Sequence, residues 1–188
     1  MSKIGRKPIA LNDVQVSVKD REIHFKGKKG AGVYLLPEEL DVDITDGLLQ
    51  IVPSKSTTFS VRARRDLNRV WGLTHALLKN KILGAKQDFE VQLQINGLGY
   101  KAVVANPRKL VFSLGYSHKI DFDLPDTVSA DVDSKTGQRV TLKSPNNVLL
   151  GQIASKIKAL RPPEPYKGTG IKLAAETLFR KPGKTKSS

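Results

Sequence analysis

Hydrophobic and polar residues alternate along two long stretches of the chain, and this alternation predicts antiparallel β-strands with one buried face. In the first stretch the apolar positions run from Val14 to Ile51, and in the second they run from Val91 to Leu142. Strands of this kind bury one face against a core and leave the other in water. The pattern therefore predicts a set of such strands in each half of the chain.

A helical pattern, with apolar residues three and four positions apart, follows each set of strands. The first predicted helix ends near Gly84, and its apolar face consists of Leu67, Val70, Trp71, Thr74, Leu77 and Leu78. The second is capped at its start by Asn146 or Asn147 and is stopped by Pro162 and Pro163. Its apolar face consists of Leu149, Ile153, Ile157 and Leu160.

Turn residues are spaced identically in the two halves, which indicates an internal duplication. Gly27 precedes Pro37 by ten residues, and Gly115 precedes Pro125 by ten residues. In both copies acidic residues follow that proline, and a turn with glycine, a further strand and the helix come next. A unit used twice fits a length of 188 residues better than one domain does.

We therefore predict an α+β fold of two similar domains, each a small antiparallel sheet packed against one helix. The extra length of the second copy, around residues 134–137, falls in a turn, where insertions are tolerated. The predicted N-terminal domain covers residues 1–82, the C-terminal domain covers residues 83–175, and a basic tail covers residues 176–188.

The chain is strongly basic, with 32 Lys and Arg against 18 Asp and Glu and a formal net charge of +14. Such an excess attracts polyanions over long distances, and nucleic acids and anionic membrane surfaces are the natural candidates. The acids are concentrated in residues 38–46 and 121–133, which contain no Lys or Arg, whereas both ends of the chain are basic. This segregation of charge predicts one polyanion-binding surface.

The residue types present disfavour several kinds of chemistry. There is no cysteine, which removes disulfides, thiolate metal sites and thiol nucleophiles. His24, His75 and His118 are far apart and lack the spacing of metal ligands. No apolar run approaches the ~18 residues of a membrane span, and the paired glycines lack the rest of a nucleotide-binding motif. We therefore expect no cofactor, no metal, no membrane contact and no enzyme activity.

Residues 160–172 (LRPPEPYKGTGIK) are the strongest candidate for a binding site. The prolines stiffen the backbone, and exposed amides at Gly168 and Gly170 would donate to phosphate oxygens of a partner that approaches closely. The side chains suited to phosphates or to stacking on a base are Arg161, Tyr166, Lys167 and Lys172. Basic residues continue beyond this segment, and the last of them have the composition of a tail that orders only on binding a polyanion.

Residues 164–171 (EPYKGTGI) resemble the EPYKGKGI motif of the large-subunit ribosomal protein six family. The resemblance extends over residues 1–182, through residues 2–9 (SKIGRKPI), 73–84 (LTHALLKNKILG), 96–102 (NGLGYKA) and 114–125 (LGYSHKIDFDLP). The chain departs from the family pattern at Thr169, where lysine is usual, at Lys119, where proline is usual, and at Pro162, where a basic residue often stands.

The resemblance implies two similar α+β domains that bind large-subunit ribosomal RNA, mainly through the C-terminal domain and tail. It also implies a monomer within the ribosome near the sarcin-ricin loop and the elongation-factor site, with other large-subunit proteins as neighbours and elongation factors as transient ones. The expected RNA contacts are Arg161, Tyr166, Lys167, Gly168, Gly170, Lys172, Arg180, Lys181 and Lys184. A weaker group consists of Gly97, Gly99, Tyr100, Lys101, Lys156, Arg62, Arg65, Arg69, Lys3, Arg6 and Lys7.

Two alternatives outside the ribosome stay open from the residues alone. A basic RNA-processing enzyme would need an acid and a base near the basic surface, whereas the acids here lie in separate stretches. An RNA chaperone or DNA-architectural protein would have the same composition. Residues 1–9 are basic and no apolar segment follows them, so we expect a protein of a bacterial-type cytoplasmic ribosome or an organelle-encoded one.

Overall fold

The chain forms two compact units, Met1–Asp88 and Phe89–Ser188, called unit 1 and unit 2 below. The computed structural model describes residues 2–54 and 61–184, and the side chains of residues 61–64 lie outside that description. The division falls later than the boundary at residue 82 suggested by the sequence, because the first helix continues to Lys86. Gly84 does not end this helix, since burial of Ile82 and Ala85 around it outweighs the ~1 kcal/mol that an internal glycine costs.

Unit 1 consists of two three-stranded antiparallel sheets and one helix. The elements are β1 Ile9–Ala10, β2 Gln15–Lys19, β3 Glu22–Lys26, β4 Ala31–Leu35, β5 Leu40–Thr45, β6 Leu48–Pro53 and α1 Val61–Lys86. The sheets have the strand orders β2-β3-β4 and β1-β6-β5. Ile23, Leu49 and Leu78 are fully buried in one core that the strands share with α1. The indole N–H of Trp71 donates to the Ile51 carbonyl oxygen at 3.0 Å and so ties α1 to β6.

Unit 2 has the same plan with one additional strand. The elements are β7 Phe89–Asn96, β8 Lys101–Asn106, β9 Lys109–Ser113, β10 Ile120–Asp123, β11 Ser129–Val132, β12 Arg139–Ser144, α2 Asn147–Leu160 and β13 Gly170–Leu173. The sheets have the orders β10-β9-β8 and β11-β12-β7-β13. Phe112, Leu142, Leu150 and Ile157 are fully buried in the core. Because β13 pairs with β7 beside α2, the segment after the helix becomes part of the sheet.

The start of α2 is fixed by Asn146, one of the two caps that the sequence allows. Its side-chain Oδ1 accepts from the backbone N–H of Val148 at 3.1 Å and from that of Leu149 at 3.3 Å. These bonds satisfy two donors that have no partner within the helix. The predicted stop is also confirmed, since α2 ends at Leu160 and its C-cap, Arg161, directly precedes the proline pair.

The two units repeat one set of hydrogen bonds as well as one strand order. The Leu36 N–H donates to the Arg21 carbonyl oxygen at 2.8 Å, and the Leu124 N–H donates to the Arg108 carbonyl oxygen at 2.7 Å. The predicted α+β fold and internal duplication are confirmed. Each unit nevertheless contains two small sheets instead of one. The prolines that follow these leucines lack the N–H that a continuing ladder needs, so the next strand joins a different sheet.

The acidic stretches lie at exposed positions and form ion pairs with nearby cations. Arg21 pairs with Glu38 at 3.5 Å, and Arg108 pairs with Asp126 at 2.8 Å. Exposed pairs of this kind contribute about 0–1 kcal/mol each. Within residues 2–54 and 61–184, no group of three or more His, Asp or Glu side chains could hold a metal ion. In the same ranges neither helix has both the length and the hydropathy of a membrane span.

Candidate nucleic-acid interface

The backbone of residues 161–169, which connect α2 to β13, closes on itself. The Glu164 N–H donates to the Thr169 carbonyl oxygen at 2.9 Å, and the Gly168 N–H donates back to the Glu164 carbonyl oxygen at 2.9 Å. The Thr169 hydroxyl donates to the Glu164 carboxylate at 3.1 Å. These bonds leave Tyr166 and Lys167 exposed on the loop between them. The connection, called the proline loop below, is therefore a shaped structure that presents two side chains.

Gly170 allows the proline loop to lie against the end of α2. Its φ is +133°, and a Cβ added there would lie 2.6 Å from the Pro162 carbonyl oxygen and 2.8 Å from the Pro163 Cα. The neighbouring Ile171 N–H donates to the Arg161 carbonyl oxygen at 2.8 Å. Only glycine fits this backbone conformation and this close approach.

The structure differs from the sequence prediction for the two loop glycines. Gly168 and Gly170 are both buried, and the Gly168 N–H already donates to Glu164. The expectation that both glycines expose their amides is therefore wrong, because an amide with an internal partner is not a free donor for a phosphate. Contact of Gly168 and Gly170 with RNA stays a prediction. The sequence pattern indicated that the chain passes close to something at these glycines, and that neighbour is the protein itself.

The basic residues of the tail lie on the proline loop. The Lys181 N–H donates to the Pro165 carbonyl oxygen at 2.9 Å. The Arg180 guanidinium covers Gly168 so closely that a Cβ there would lie 3.1 Å from its Nε and Nη2 atoms. Arg180, Lys181 and Lys184 are all exposed. The tail cations as far as Lys181 therefore lie beside Tyr166 and Lys167 on one surface.

Glu176 fixes the start of this tail to α2. Its two carboxylate oxygens accept from Lys158 Nζ at 2.7 Å each, and Oε2 also accepts from the Leu173 N–H at 3.4 Å. The hydrogen bond from Lys158 holds the pKa of Glu176 below its ordinary value. Lys156, also on α2, is exposed, so it stays a candidate for an RNA contact.

Lys172 lies on β13, where the pairing register defines its surroundings. It stands opposite Gln94, whereas the next residue toward the loop, Ile171, stands opposite Ile95 in the core. Successive side chains of a strand point to opposite faces, so Lys172 lies on the face of the sheet that is turned away from the core. Arg139 is the residue opposite Gln94 on the other side, in the same row.

Besides Lys156, the weaker candidates of unit 2 lie on the connection between β7 and β8 and at the first residue of β8. Gly99 and Lys101 are exposed, whereas Gly97 and Tyr100 are half-buried. The Tyr100 ring packs against Gly97, where an added Cβ would lie 2.7 Å from its Cγ atom. It also packs against the core of the unit. Tyr100 therefore supports the connection from inside, and the exposed positions are those left to contact a partner.

Arg161 contacts an aromatic residue that sequence reasoning did not select. Its guanidinium carbon lies 4.9 Å from the centre of the Tyr116 ring, and hydrogen bonding to Tyr116 raises the pKa of Arg161. The Tyr116 hydroxyl donates to the Leu160 carbonyl oxygen at 3.2 Å. The His118 ring stacks on Tyr116 with the centroids 6.1 Å apart. The sequence does place two ring residues, Tyr116 and His118, close together in residues 114–119 (LGYSHK). That segment was used only as part of the family resemblance and was not selected as a binding site.

The candidates of unit 1 form no comparable cluster. Lys3, Arg6 and Lys7 are exposed near the start of the chain. On α1, Arg65 and Arg69 are exposed, and Arg69 pairs with Asp66 at 3.1 Å. The side chain of Arg62 lies outside the described residues. The segment that carries Lys3 and Lys7 is tied to α1, because the Lys7 carbonyl oxygen accepts from the His75 ring at 2.9 Å. The described candidates of unit 1 therefore lie in two separate segments, the start of the chain and α1.

The duplicated α+β fold and the basic proline loop define a class, that of two-unit proteins whose exposed cations suit a polyanion. A family profile described as Ribosomal protein L6 matches residues 96–173. Large ribosomal subunit protein uL6 of Methylocella silvestris is 41% identical over 187 residues, covering 99% of this chain and 100% of the relative. The uL6 proteins of Desulfatibacillum aliphaticivorans and Anaeromyxobacter dehalogenans are each 40% identical, covering 98% of this chain.

These similarities extend over nearly the full length of the relatives, so both units of the fold are included. The chain belongs to the ribosomal protein L6 family, uL6, of the bacterial type. The family predicted from the motifs is confirmed.

Proposed function

We propose that the protein is a structural constituent of the large ribosomal subunit and binds large-subunit ribosomal RNA mainly through unit 2 and its tail. The relatives named above are large ribosomal subunit proteins. The observation that carries the RNA-binding part is the proline loop, whose backbone is fixed by its own hydrogen bonds while Tyr166 and Lys167 stand exposed. The proposal contains no catalytic step.

Phosphate contacts and stacking have separate roles in this proposal. Lys167, Lys172 and Arg180 neutralise phosphates, which fixes the position of the protein on the RNA. Tyr166, with 56% of its surface exposed, stacks on a base or packs on a sugar. Each phosphate contact releases counterions, so the logarithm of the affinity falls linearly with the logarithm of the salt concentration.

The finer part of the proposal concerns the location and the neighbours. The protein works as a monomer in the cytoplasmic ribosome, near the sarcin-ricin loop and the elongation-factor site, beside other large-subunit proteins. Elongation factors are transient neighbours there. A fixed loop and tail favour RNA binding at this location, because the hydrogen bond from the Lys181 N–H to the Pro165 carbonyl oxygen reduces the conformational freedom lost on binding.

A sucrose gradient of a cell lysate at two salt concentrations tests the ribosomal assignment. We expect stoichiometric co-migration with large subunits and whole ribosomes that survives moderate salt. A chain that stays at the top of the gradient, or leaves the subunits after a small rise in salt, would refute the assignment and favour an RNA-processing enzyme or an RNA chaperone.

A pair of charge-matched variants tests the assigned surface. Lys167→Gln with Lys181→Gln removes two exposed cations of the proposed surface, and Lys19→Gln with Lys26→Gln removes two exposed cations of unit 1. Binding to protein-free large-subunit ribosomal RNA is measured over a range of salt concentrations. The first variant should lower the salt slope by about two, at about one per lost phosphate contact, and the second should leave it unchanged. Equal slopes for the two variants would contradict the assignment.

A further inference from the structure

Tyr116, His118 and Arg161 form a cluster of planar groups, called the stacking cluster below. The Tyr116 and His118 rings are 23° from parallel, and their centroids are 6.1 Å apart. The Arg161 guanidinium carbon lies 4.9 Å from the centre of the Tyr116 ring. The cluster joins two segments that are far apart in the sequence, the turn between β9 and β10 and the start of the proline loop.

The core of unit 2 does not explain why these aromatic residues are present. Tyr116 retains 42% of its surface, and His118 is also exposed. Neither belongs to the hydrophobic core, whereas Tyr100 packs against it. Tyrosine and arginine together at a surface are typical of residues that bind a partner. Tyrosine offers a large contact area with few torsions to fix, and arginine offers a planar group with five N–H donors.

The stacking cluster is held in shape before any partner arrives. Gly115 has a φ of +74°, and a Cβ there would lie 2.8 Å from the Tyr100 hydroxyl oxygen, so Tyr100 supports the turn from below. The Tyr116 hydroxyl donates to the Leu160 carbonyl oxygen at 3.2 Å, which fixes the ring relative to the end of α2. Binding to a pre-organised surface costs less conformational entropy than ordering a loose one.

The charges around the stacking cluster favour a nucleic-acid partner. Within the described part of the chain, neither Arg161 nor Lys119 takes part in an ion pair with an acid. No carboxylate neutralises either cation in these residues, and the whole chain carries +14. A guanidinium stacked on a ring still presents its N–H edge, which suits a phosphate. Flat rings with a cation beside them match the base and phosphate of one nucleotide.

We propose that the stacking cluster binds an unpaired RNA nucleotide, whose base stacks on the Tyr116–His118 pair while its phosphate meets Arg161. This inference rests on the proposed RNA-binding function and adds a second contact region to the proline loop. Stacking of this kind accepts any base, since every base has a π-face. The contact therefore contributes affinity without sequence readout.

Three variants of the full-length protein test this inference by binding to protein-free large-subunit ribosomal RNA. Tyr116→Leu removes the ring, Tyr116→Phe keeps the ring without the hydroxyl, and His118→Ala removes the second ring. From the usual contribution of one stacked base, Tyr116→Leu should weaken binding roughly 5- to 150-fold. Tyr116→Phe should stay within about threefold of the parent. Because stacking is not electrostatic, the salt slope of Tyr116→Leu should equal that of the parent.

Chemical probing of unpaired bases gives a second readout. An unpaired base protected by the parent and by Tyr116→Phe should become reactive with Tyr116→Leu and with His118→Ala. If Tyr116→Leu does not fold, the protection of that base by His118→Ala is sufficient to test the inference. Unchanged affinity and unchanged base protection in the ring-removal variants would overturn the inference. The inference would also be overturned if these variants bound RNA as the parent does but assembled subunits lost a neighbouring protein.

The same measurements separate this inference from the proposed function. If the parent itself shows no salt-dependent binding to the RNA, the proposed function fails and the inference fails with it. If the parent binds and Lys167→Gln lowers the salt slope while Tyr116→Leu binds as the parent does, the proposed function stands and only the inference is overturned.

Discussion

Replacing Gly170 by alanine should destabilise unit 2, because the backbone leaves no space for a side chain at this position. The φ of +133° lies in a region that L-residues rarely adopt. A Cβ would also lie 2.6 Å from the Pro162 carbonyl oxygen and 2.8 Å from the Pro163 Cα. Both neighbours are backbone atoms, so no side-chain rotation can relieve the contact.

The expected loss of stability follows from two contributions. Holding a non-glycine residue in such a conformation costs about 1–3 kcal/mol, and forcing an extra carbon into a filled space costs about 1–3 kcal/mol. Together they give a decrease of about 2–6 kcal/mol in the free energy of unfolding. Movement that relieved the strain would shift the proline loop from β13, so weaker RNA binding should accompany the loss.

Urea unfolding followed by pulsed hydrogen exchange and mass spectrometry measures the effect, because peptides from each unit report separately. Gly151→Ala is the matched control, since Gly151 is an exposed residue of α2 and a Cβ there meets nothing within 4 Å. This control should gain about 0.5–1 kcal/mol through helix propensity. A Gly170→Ala variant within about 0.5 kcal/mol of the parent would refute the argument from backbone geometry.

Three further predictions concern single side chains. His75 is buried, its Nε2–H donates to the Lys7 carbonyl oxygen at 2.9 Å and its Nδ1 has no partner. Burial lowers the pKa of His75, so the unfolded chain binds the proton more readily and unit 1 should lose stability as the pH falls below about 6.5. Trp71 fluorescence in urea at several pH values measures this, and a His75→Gln variant with the same pH dependence would contradict it. Asn146→Ala should lower the unfolding free energy of unit 2 by about 1 kcal/mol, because it removes the cap of α2. Hydrogen exchange of unit 2 peptides in urea measures this loss, and no loss would mean that the cap bonds are not stabilising. Leu98→Ser should change the unfolding free energy by less than about 0.5 kcal/mol, because the Leu98 side chain is fully exposed, at 102%. A larger change in the same hydrogen-exchange assay would show that Leu98 packs against an apolar partner.

The fold could be predicted from the sequence because its main features depend on local pattern. Alternation predicted most strands of both units, although not β1, β11 or β13, and three-and-four spacing predicted the helices. The ten-residue interval from Gly27 to Pro37 recurs at Gly115 and Pro125. The split of each unit into two sheets could not be predicted, since partner choice between strands depends on long-range register. The end of α1 was missed because tertiary burial outweighed the helix-breaking tendency of Gly84.

The surface exposure of the candidate side chains could be predicted from the sequence, whereas their contacts could not. The cations and Tyr166 of residues 160–172 are exposed or half-buried, as a binding segment requires. The contacts made by Gly168 were not predictable, because a glycine pattern indicates a close approach without saying to what. The Arg161–Tyr116 contact joins residues from different elements, and no local pattern connects them.

The duplication explains why the main proposed binding residues are found in one unit. Strands β7, β12 and β11 repeat the order of β1, β6 and β5, but β7 has an additional partner in β13. The proline loop, β13 and the tail follow α2, and they have no counterpart among the described elements of unit 1. The repeated scaffold supplies the cores, whereas the addition after α2 supplies Tyr166, Lys167 and Arg180. Substitutions in this addition should therefore affect RNA binding more than substitutions at repeated surface positions such as Arg21 and Arg108.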